Sequence, residues 1–230
     1  MKKLSILSLV LLFTSVNATF SQVSINTAHD QINYLKRESM LSASSDTYVN
    51  IKGSPYLTEG FLAGTLYTKG GDIFPGEYRF DIYTNKVQFM NQGVTFQVAF
   101  PDSISKIEIG DHTLKYVEYI NGGEGHGKAF MIVLAEGNFT LLEQKNKVFY
   151  EALPAKPYQD PEPAKFGTGK DVFYLKVGDK PAEKITGTKD IIRICGDKGS
   201  AAKSYIDKEK LGIKRANDLI MLVNHLNKLQ

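Results

Sequence analysis

Residues 77–91 read EYRFDIYTNKVQFMN, and this stretch decides the fold class of the chain. Apolar and polar residues alternate on both sides of 84–85, which is the pattern of two half-buried strands joined by a tight turn. With 84–85 as a two-residue turn, the apolar residues of both strands lie on one face, which suits burial of that face. The cross-strand pairs predicted by this turn are Ile82 with Val87 and Phe80 with Phe89.

The same alternation predicts three further hairpins, with turns at 110–111, 137–138 and 145–146. Their sequences are SKIEI-GD-HTLKYVEYI, FMIVLAE-GN-FTLLEQ and LLEQ-KN-KVFYEAL, and the first two set Ile107 opposite Leu114 and Leu134 opposite Leu141. Consecutive hairpins over 61–152 predict an antiparallel up-and-down meander of roughly eight or nine strands. A sheet of this size curls, so we expect a barrel, a half-barrel or a sandwich.

Glu118 departs from the alternation, because it falls on the same face as Leu114 and Tyr116. Either a β-bulge shifts the register there, or the carboxylate points inward as a functional group. Bulges are common in such sheets, and we favour the bulge.

A proline-rich segment, LPAKPYQDPEPAKFGTG, occupies 153–169. Proline lacks a backbone donor, so we interpret this segment as a joint between domains, with a strap along the sheet as the alternative. Residues 170–230 then predict a hairpin over 178–179 and three short helices, the last with an apolar stripe at three- and four-residue steps. The predicted fold class is therefore mainly β, with a β-meander domain over 22–152 and a small α+β appendage at the C terminus.

The N terminus predicts an export signal over 1–21. Two lysines precede the uncharged run LSILSLVLLFTSV, which is shorter than the ~20 residues that a spanning helix needs. Small residues then allow cleavage after Ala18 or after Ser21. We therefore expect a periplasmic or secreted protein with no membrane span after cleavage.

Net charge and cysteine count bear on the partners and the stability of the chain. The formal net charge is +3, and removal of Lys2 and Lys3 with the signal leaves +1, which does not favour nucleic acid. Cys195 is the single cysteine, so an intramolecular disulfide is excluded and a buried apolar role is expected for it.

The sequence contains no HExxH, GxxxxGK[ST], GxSxG or CxxC pattern. The glycine-rich stretch 121–127 joins two predicted strands and is interpreted as a hairpin tip. Its His126 is predicted to lie about eight residues along the hairpin from His112, roughly 25 Å away, which rules out a metal shared by the two. We predict no cofactor and no metal site.

Two stretches, LYTKGGDIFPGEYRFDIYTNKVQF and GKAFMIVLAEGNFTLLEQKNKVFYEALPAKPYQDPEPAKF, resemble a group of secreted or periplasmic proteins of Bacteroides-type bacteria. The resemblance implies a strand meander, a proline-rich joint and a short helical tail. It implies no activity and no catalytic residue.

Three functional hypotheses follow. The first is a non-enzymatic binding protein of the cell envelope, whose aromatic-rich curled sheet holds a lipid, a glycan or a peptide. The second is a structural or interaction protein that docks an envelope protein through the joint or the helical tail. The third, which we favour least, is a hydrolase with a dispersed site. The tyrosines proposed as ligand contacts for the first hypothesis are Tyr67, Tyr83, Tyr116 and Tyr119.

Overall fold

The computed structural model describes residues 41–43, 48, 50–122, 125–155, 157 and 160–229. These residues all belong to one compact unit, 37–230. The predicted export signal, 1–21, lies outside the described residues.

Thirteen strands and three α-helices are present in the described part of the chain. The strands are β1 Leu41–Ala43, β2 Leu62–Thr68, β3 Ile73–Asp81, β4 Lys86–Asn91, β5 Val94–Val98, β6 Ile104–Ile109, β7 His112–Ile120, β8 His126–Ala135, β9 Phe139–Gln144, β10 Lys147–Tyr150, β11 Lys165–Thr168, β12 Val172–Val177 and β13 Ala182–Lys184. The helices are α1 Thr188–Cys195, α2 Gly199–Glu209 and α3 Ala216–Lys228.

Eleven strands form one sheet in the order β1-β5-β4-β3-β2-β6-β7-β13-β12-β9-β8. Because β8 also pairs with β7, the strands β7, β8, β9, β12 and β13 form a closed five-stranded barrel. A ring of five strands that alternate in direction closes only if its first and last strands are parallel, and β7 and β13 do pair in parallel. The predicted fold class, mainly β with a curled antiparallel meander and a small C-terminal helical part, is confirmed.

The barrel interior is filled by side chains. Val117, Met131, Leu142, Tyr174 and Ala182 pack together in one buried cluster, contributed by all five strands of the ring. The Tyr174 hydroxyl donates to Oε1 of Gln144 at 3.1 Å, so the polar end of the largest buried ring is satisfied. The barrel is therefore a packed core, as small barrels usually are.

The strands before the barrel curl over its outer face. Leu66, Phe80 and Val98, from three of these strands, share one buried cluster with Leu114 and Ile132 of β7 and β8. The β3–β4 loop is held to β8 by the Asn85 side-chain amide, which bonds the backbone of Phe130 as a paired strand would. Asn85 donates through Nδ2 to the Phe130 carbonyl at 3.0 Å and accepts the Phe130 N–H at 2.8 Å.

The register of the 77–91 hairpin differs from the prediction by two residues. The observed pairs are Tyr78 with Phe89 and Phe80 with Val87, and the loop contains the four residues 82–85. Asn85 ends this loop with a φ of 54°, a conformation that asparagine adopts more readily than most residues. Since a shift of two keeps every side chain on its face, the predicted apolar face is still the buried one.

The other predicted hairpins have different outcomes. Ile107 pairs with Leu114, as predicted. In the third hairpin a bulge after Val133 removes Leu134 from the ladder, and Leu141 pairs with Ala135. No bulge interrupts the pairing of β7 with β8 at Glu118, whose exposed side chain lies opposite Lys128, so both readings of that residue were wrong.

The fourth hairpin is wrong, because β10 does not pair with β9. It pairs with β11 instead, and a bridge between Leu153 and Glu162 continues this ribbon beyond Tyr150. Within the predicted joint, Lys165–Thr168 is therefore the returning strand of a two-stranded ribbon, and we call this ribbon, β10 and β11 with the Leu153–Glu162 bridge, the arm. The Asn146 carbonyl accepts the Gly169 N–H at 2.9 Å and closes the base of the arm.

The arm has one packed face and one exposed face. Phe149 and Phe166 pack against Tyr83, with ring centroids 6.2 and 5.2 Å away. Val148, Tyr150 and Leu153 are 38%, 48% and 49% exposed.

Residues 50–61, which we call the strap, pair with the end of β3 at Tyr56 and Asp81 and cover the Arg79 side chain with Tyr56 and Phe61. The strap is held by Leu57 N–H, which donates to the Phe80 carbonyl at 2.9 Å. Underneath, Arg79 is 7% exposed and Asp81 is 2% exposed, although the alternation of β3 places both on its polar face. The Arg79 guanidinium lies 3.6 Å from the Tyr56 ring centroid and donates to Gln88. The strap thus converts a solvent face into a buried polar layer.

The three predicted helices are present: α1 packs on β12, α3 packs on β8 and β9, and α2 packs on the other two helices. The predicted stripe of α3 is confirmed as its buried face, and Cys195 is buried as expected. Burial raises the pKa of the Cys195 thiol to about 11, which keeps it protonated. The buried residues of α3 are Leu219, Leu222, Val223 and Leu226.

The region after the arm is not separate from the sheet. The β12–β13 hairpin supplies two of the five barrel strands, and α3 is fastened to the β8–β9 turn by Asn227, which accepts the Phe139 N–H at 2.8 Å. Gly137 permits this approach, because a Cβ at that position would overlap the Asn227 side chain. The sequence predicted a division into two domains at 153–169. The arrangement differs from that prediction, because the barrel closes only with β12 and β13, which follow this segment.

Candidate functional site

The four tyrosines proposed as ligand contacts are not brought together. Tyr67 donates to Glu108 at 3.0 Å on β2 and β6, and Tyr83 packs on the arm. Tyr116 and Tyr119 lie on opposite faces of β7, the first against the curled sheet and the second in the barrel. These residues therefore do not line one common cavity.

The concave face of the curled sheet is filled rather than hollow. Its cluster includes Tyr78, Phe80 and Phe89, which are all buried. A cavity of about 350 Å³ opens at the rim, where Tyr116 and Phe130 are its two aromatic residues. We call it the rim cavity.

A larger cavity lies on the opposite side of the barrel. It is an open cleft of about 550 Å³ between the start of β12, the end of β13 and the loop from α2 to α3, and we call it the main cleft. Its volume is within the range of small-molecule sites. The lining residues are Glu143, Lys170, Asp171, Val172, Phe173, Lys184, Ile185, Thr186, Ile213 and Lys214.

The main cleft lies where the helical layer stops short of the barrel surface. Leu141 and Leu175 point outward from β9 and β12 and are fully covered by the helices. Two residues away, Glu143 and Phe173 are paired across the same two strands, and Phe173 stays half-buried. Phe173 and Ile185 therefore provide an apolar floor, with Ile213 beside them.

Two carboxylates of the cleft are held by one lysine. Lys145 donates through Nζ to Glu143 at 2.9 Å and to Asp171 at 2.8 Å. Burial lowers the pKa of Lys145, but the hydrogen bonds to Asp171 and Glu143 outweigh that effect and the pKa is raised. Asp171 also accepts the Asn146 N–H at 3.2 Å, so this cluster joins the cleft to the base of the arm.

The loop that forms the far wall is fixed by its own contacts. Asp218 accepts the Gly212 N–H at 2.6 Å and pairs with Arg215 at 2.5 Å. The Leu211 N–H also donates to the Ile206 carbonyl at 3.0 Å, which ends α2. Ile213 and Lys214 are therefore presented by an anchored loop.

A side cavity of about 230 Å³ adjoins the main cleft, because Lys184 and Thr186 line both. Its charges are mutually compensated. Arg193 pairs with Glu183 at 2.5 Å, and Asp190 accepts the Thr186 N–H at 2.9 Å. Hydrogen bonds from Thr186 lower the pKa of Asp190, which stays ionised.

No histidine lines the main cleft, the side cavity or the rim cavity. Across the described part of the chain, no group of three or more His, Cys, Asp or Glu residues could hold a metal ion.

The residues of the main cleft were not anticipated from the sequence. Lys170 and Lys214 are ordinary surface lysines in sequence context, on either side of the β12–β13 hairpin and two helices. One local feature pointed toward the cleft: a charged residue lies on each side of the arm, Lys145 before it and Asp171 after it. The two meet because the arm returns to its base.

Comparison of the chain with protein-family models, with curated proteins and with solved structures finds no match. The resemblance to secreted proteins of Bacteroides-type bacteria stays a prediction. Among the described residues, no helix is long and apolar enough to cross a membrane. The fold and the cleft define a protein with a closed five-stranded barrel and an open cleft edged by lysines.

Proposed function

We propose that this chain is an exported, non-enzymatic binding protein of the cell envelope that takes a small ligand in the main cleft. The observation that supports this proposal is the cleft itself, about 550 Å³ with an apolar floor and lysines at its rim. Ligand sites commonly combine such an apolar surface with a few polar groups that set orientation. The ligand site thus lies outside the curled sheet, because the sheet interior is packed.

Export predicts a shortened N terminus. When the full chain is expressed in a bacterium, we expect the periplasmic or secreted fraction to contain a protein that begins at Thr19 or Gln22, since signal peptidase favours small residues before the cut. Intact-mass spectrometry of that fraction measures the cleavage. A chain that keeps Met1 and stays with the cells would contradict export.

Ligand binding in the main cleft is tested by filling it. Ile213→Trp places an indole in the cleft, and Ala99→Trp makes the matched change in the rim cavity. The probe is phenylnaphthylamine, a neutral naphthalene whose fluorescence rises in apolar sites. We expect saturable binding that Ile213→Trp weakens by at least about tenfold, equivalent to ~1.4 kcal/mol, and that Ala99→Trp leaves within about twofold.

The alternative outcomes separate the hypotheses. Binding that Ala99→Trp removes, while Ile213→Trp does not, would move the ligand site to the rim cavity beside Tyr116. Absence of saturable binding by the parent protein would favour the interaction-module hypothesis. The observation that supports that second hypothesis is the exposed apolar face of the arm, at Val148, Tyr150 and Leu153.

A further inference from the structure

We infer that the main cleft selects a small organic anion with an apolar body, such as an alkyl or aromatic carboxylate, phosphate ester or sulfonate. This inference rests on the proposed function, because it names the ligand class of the same site. Three features support it: the exposed lysines Lys170 and Lys214 at the edge of the cleft, the apolar floor, and the absence of positive excess in the side cavity.

The carboxylates of the cleft share one internal cation. Glu143 and Asp171 both accept hydrogen bonds from Lys145, whose side chain is 29% exposed. One of the two negative charges is therefore offset before any ligand arrives. A cationic ligand would have to displace a lysine that holds two carboxylates at once.

The lysines that line the main cleft supply its positive charge. Lys170, Lys184 and Lys214 all line the cleft, and the first and last of these are exposed. Lys145, Lys170 and Lys214 carry three positive charges against the two negative charges of Glu143 and Asp171, so these residues leave a net charge of +1 at the cleft (3 − 2). A clustered positive rim over a low-dielectric wall attracts an anion and orients its charged end.

The surface beneath the rim favours an apolar ligand body. Phe173 and Ile185 form the floor, and Ile213 comes from the anchored loop between α2 and α3. A sugar-binding platform would require exposed hydrogen-bonding groups along its length, whereas this floor offers aliphatic and phenyl carbons. The ligand is therefore amphipathic.

The side cavity places the charged end of the ligand. Glu183 is paired with Arg193, and Asp190 is ionised, so the lining of that cavity has no positive excess apart from Lys184, which it shares with the main cleft. Positive excess is confined to the main cleft, and a longer ligand would extend its uncharged end past Lys184 and Thr186. This geometry predicts a single charged head rather than a polyanion.

Two probes of the same shape test the charge. Anilinonaphthalene sulfonate carries the aromatic body of phenylnaphthylamine plus one sulfonate. We expect the parent protein to bind the anionic probe at least about tenfold more tightly than the neutral probe, and the preference to fall as salt rises, because exposed charges are screened within ~10 Å at 0.1 M salt.

Paired lysine variants locate the selectivity. In Lys170→Gln/Lys214→Gln we expect binding of the anionic probe to weaken about tenfold, and that of the neutral probe to change less than about twofold. The matched control is Lys86→Gln/Lys128→Gln, which removes two lysines that line the rim cavity and should leave both probes as in the parent. Circular dichroism verifies that all variants are folded.

Competition identifies the source of the anion. Displacement of the anionic probe by dodecanoate or dodecyl phosphate, but not by dodecanol, supports the inference, and the stronger competitor distinguishes a carboxylate from a phosphate head. Equal displacement by dodecanol, equal affinity for the two probes, or displacement only by an acidic polysaccharide would each overturn it while the proposed binding function stands. If Ile213→Trp weakened the binding of neither probe, the proposed function would be overturned instead.

Discussion

Replacement of Phe89 by alanine is expected to lower the free energy of unfolding by about 3–5 kcal/mol, the range for truncation of a buried phenylalanine. Phe89 is 1% exposed on β4 and its ring packs 5.1 Å from that of Tyr78, centroid to centroid. The ring also occupies the space above Gly76, where a Cβ would overlap it. Truncation therefore opens a cavity that the surrounding rings fill only in part. Urea denaturation followed by fluorescence measures the change.

The same packing predicts a specific coupling. Gly76→Ala alone should cost about 1–3 kcal/mol, because the new methyl group pushes against the Phe89 ring. In the double variant Gly76→Ala/Phe89→Ala the methyl group enters the space that the ring has left. We expect the double variant to be more stable than the sum of the single effects by at least about 1 kcal/mol.

Ile73→Ala, on the same strand as Gly76, is the control for truncation of an apolar side chain. Ile73 is 60% exposed, so its truncation should cost less than about 0.5 kcal/mol. If Ile73→Ala and Phe89→Ala cost the same, or if the single effects at Gly76 and Phe89 simply add, the described packing of β3 on β4 would be contradicted.

Removal of the Asp81 carboxylate is the second large expected effect. Asp81 is 2% exposed and accepts hydrogen bonds from the Tyr48 hydroxyl at 2.9 Å and the Thr84 N–H at 3.0 Å. Asp81→Ala leaves both donors without this acceptor, and we expect a loss of about 2–4 kcal/mol in the free energy of unfolding. Tyr48→Phe removes one donor and should cost less. A loss below about 0.5 kcal/mol for Asp81→Ala would contradict the role given to the hydrogen bonds from Tyr48 and Thr84.

The same contact predicts a pH dependence. Burial, and then the hydrogen bond to Asp81, raises the pKa of Tyr48 above its usual range. The folded state thus holds a proton that the unfolded state releases near pH ~10. The associated stability is fully present below that pH and is lost as pH rises above it.

Denaturation measured between about pH 9 and about pH 11 should show a steeper decline in the free energy of unfolding for the parent protein than for Tyr48→Phe. The control is Tyr83→Phe, which removes the hydroxyl of a tyrosine 45% exposed and should decline as the parent does.

Local patterns in the sequence predicted the elements well. Alternation along 77–91 identified two strands and their buried face, even though the loop was two residues longer than predicted. The three- and four-residue spacing of Leu219, Leu222 and Val223 identified the buried face of α3. Both predictions depend on the direction of successive side chains, which neighbouring residues set by themselves.

Pairing between distant segments could not be read in the same way. The β10 segment alternates as well as any strand, yet β9 pairs with β12 and the arm forms between them. Several strands could satisfy the edge of β9, and the choice depends on which arrangement closes the barrel and buries both of its faces. Such competition involves residues far apart in the chain, so no local period records it.

The sequence by itself determined the strands, the helices and the faces that they bury, because side-chain direction follows from local backbone geometry. Tertiary structure alone decided the parallel closure of β7 on β13, the burial of Arg79 and Asp81 beneath the strap, and the main cleft. The helical layer covers Leu175 fully and Phe173 only in part, which leaves the cleft open, and Lys145 reaches both Glu143 and Asp171 at its edge. All of these features depend on contacts between residues far apart in the chain, which form only when the elements pack together.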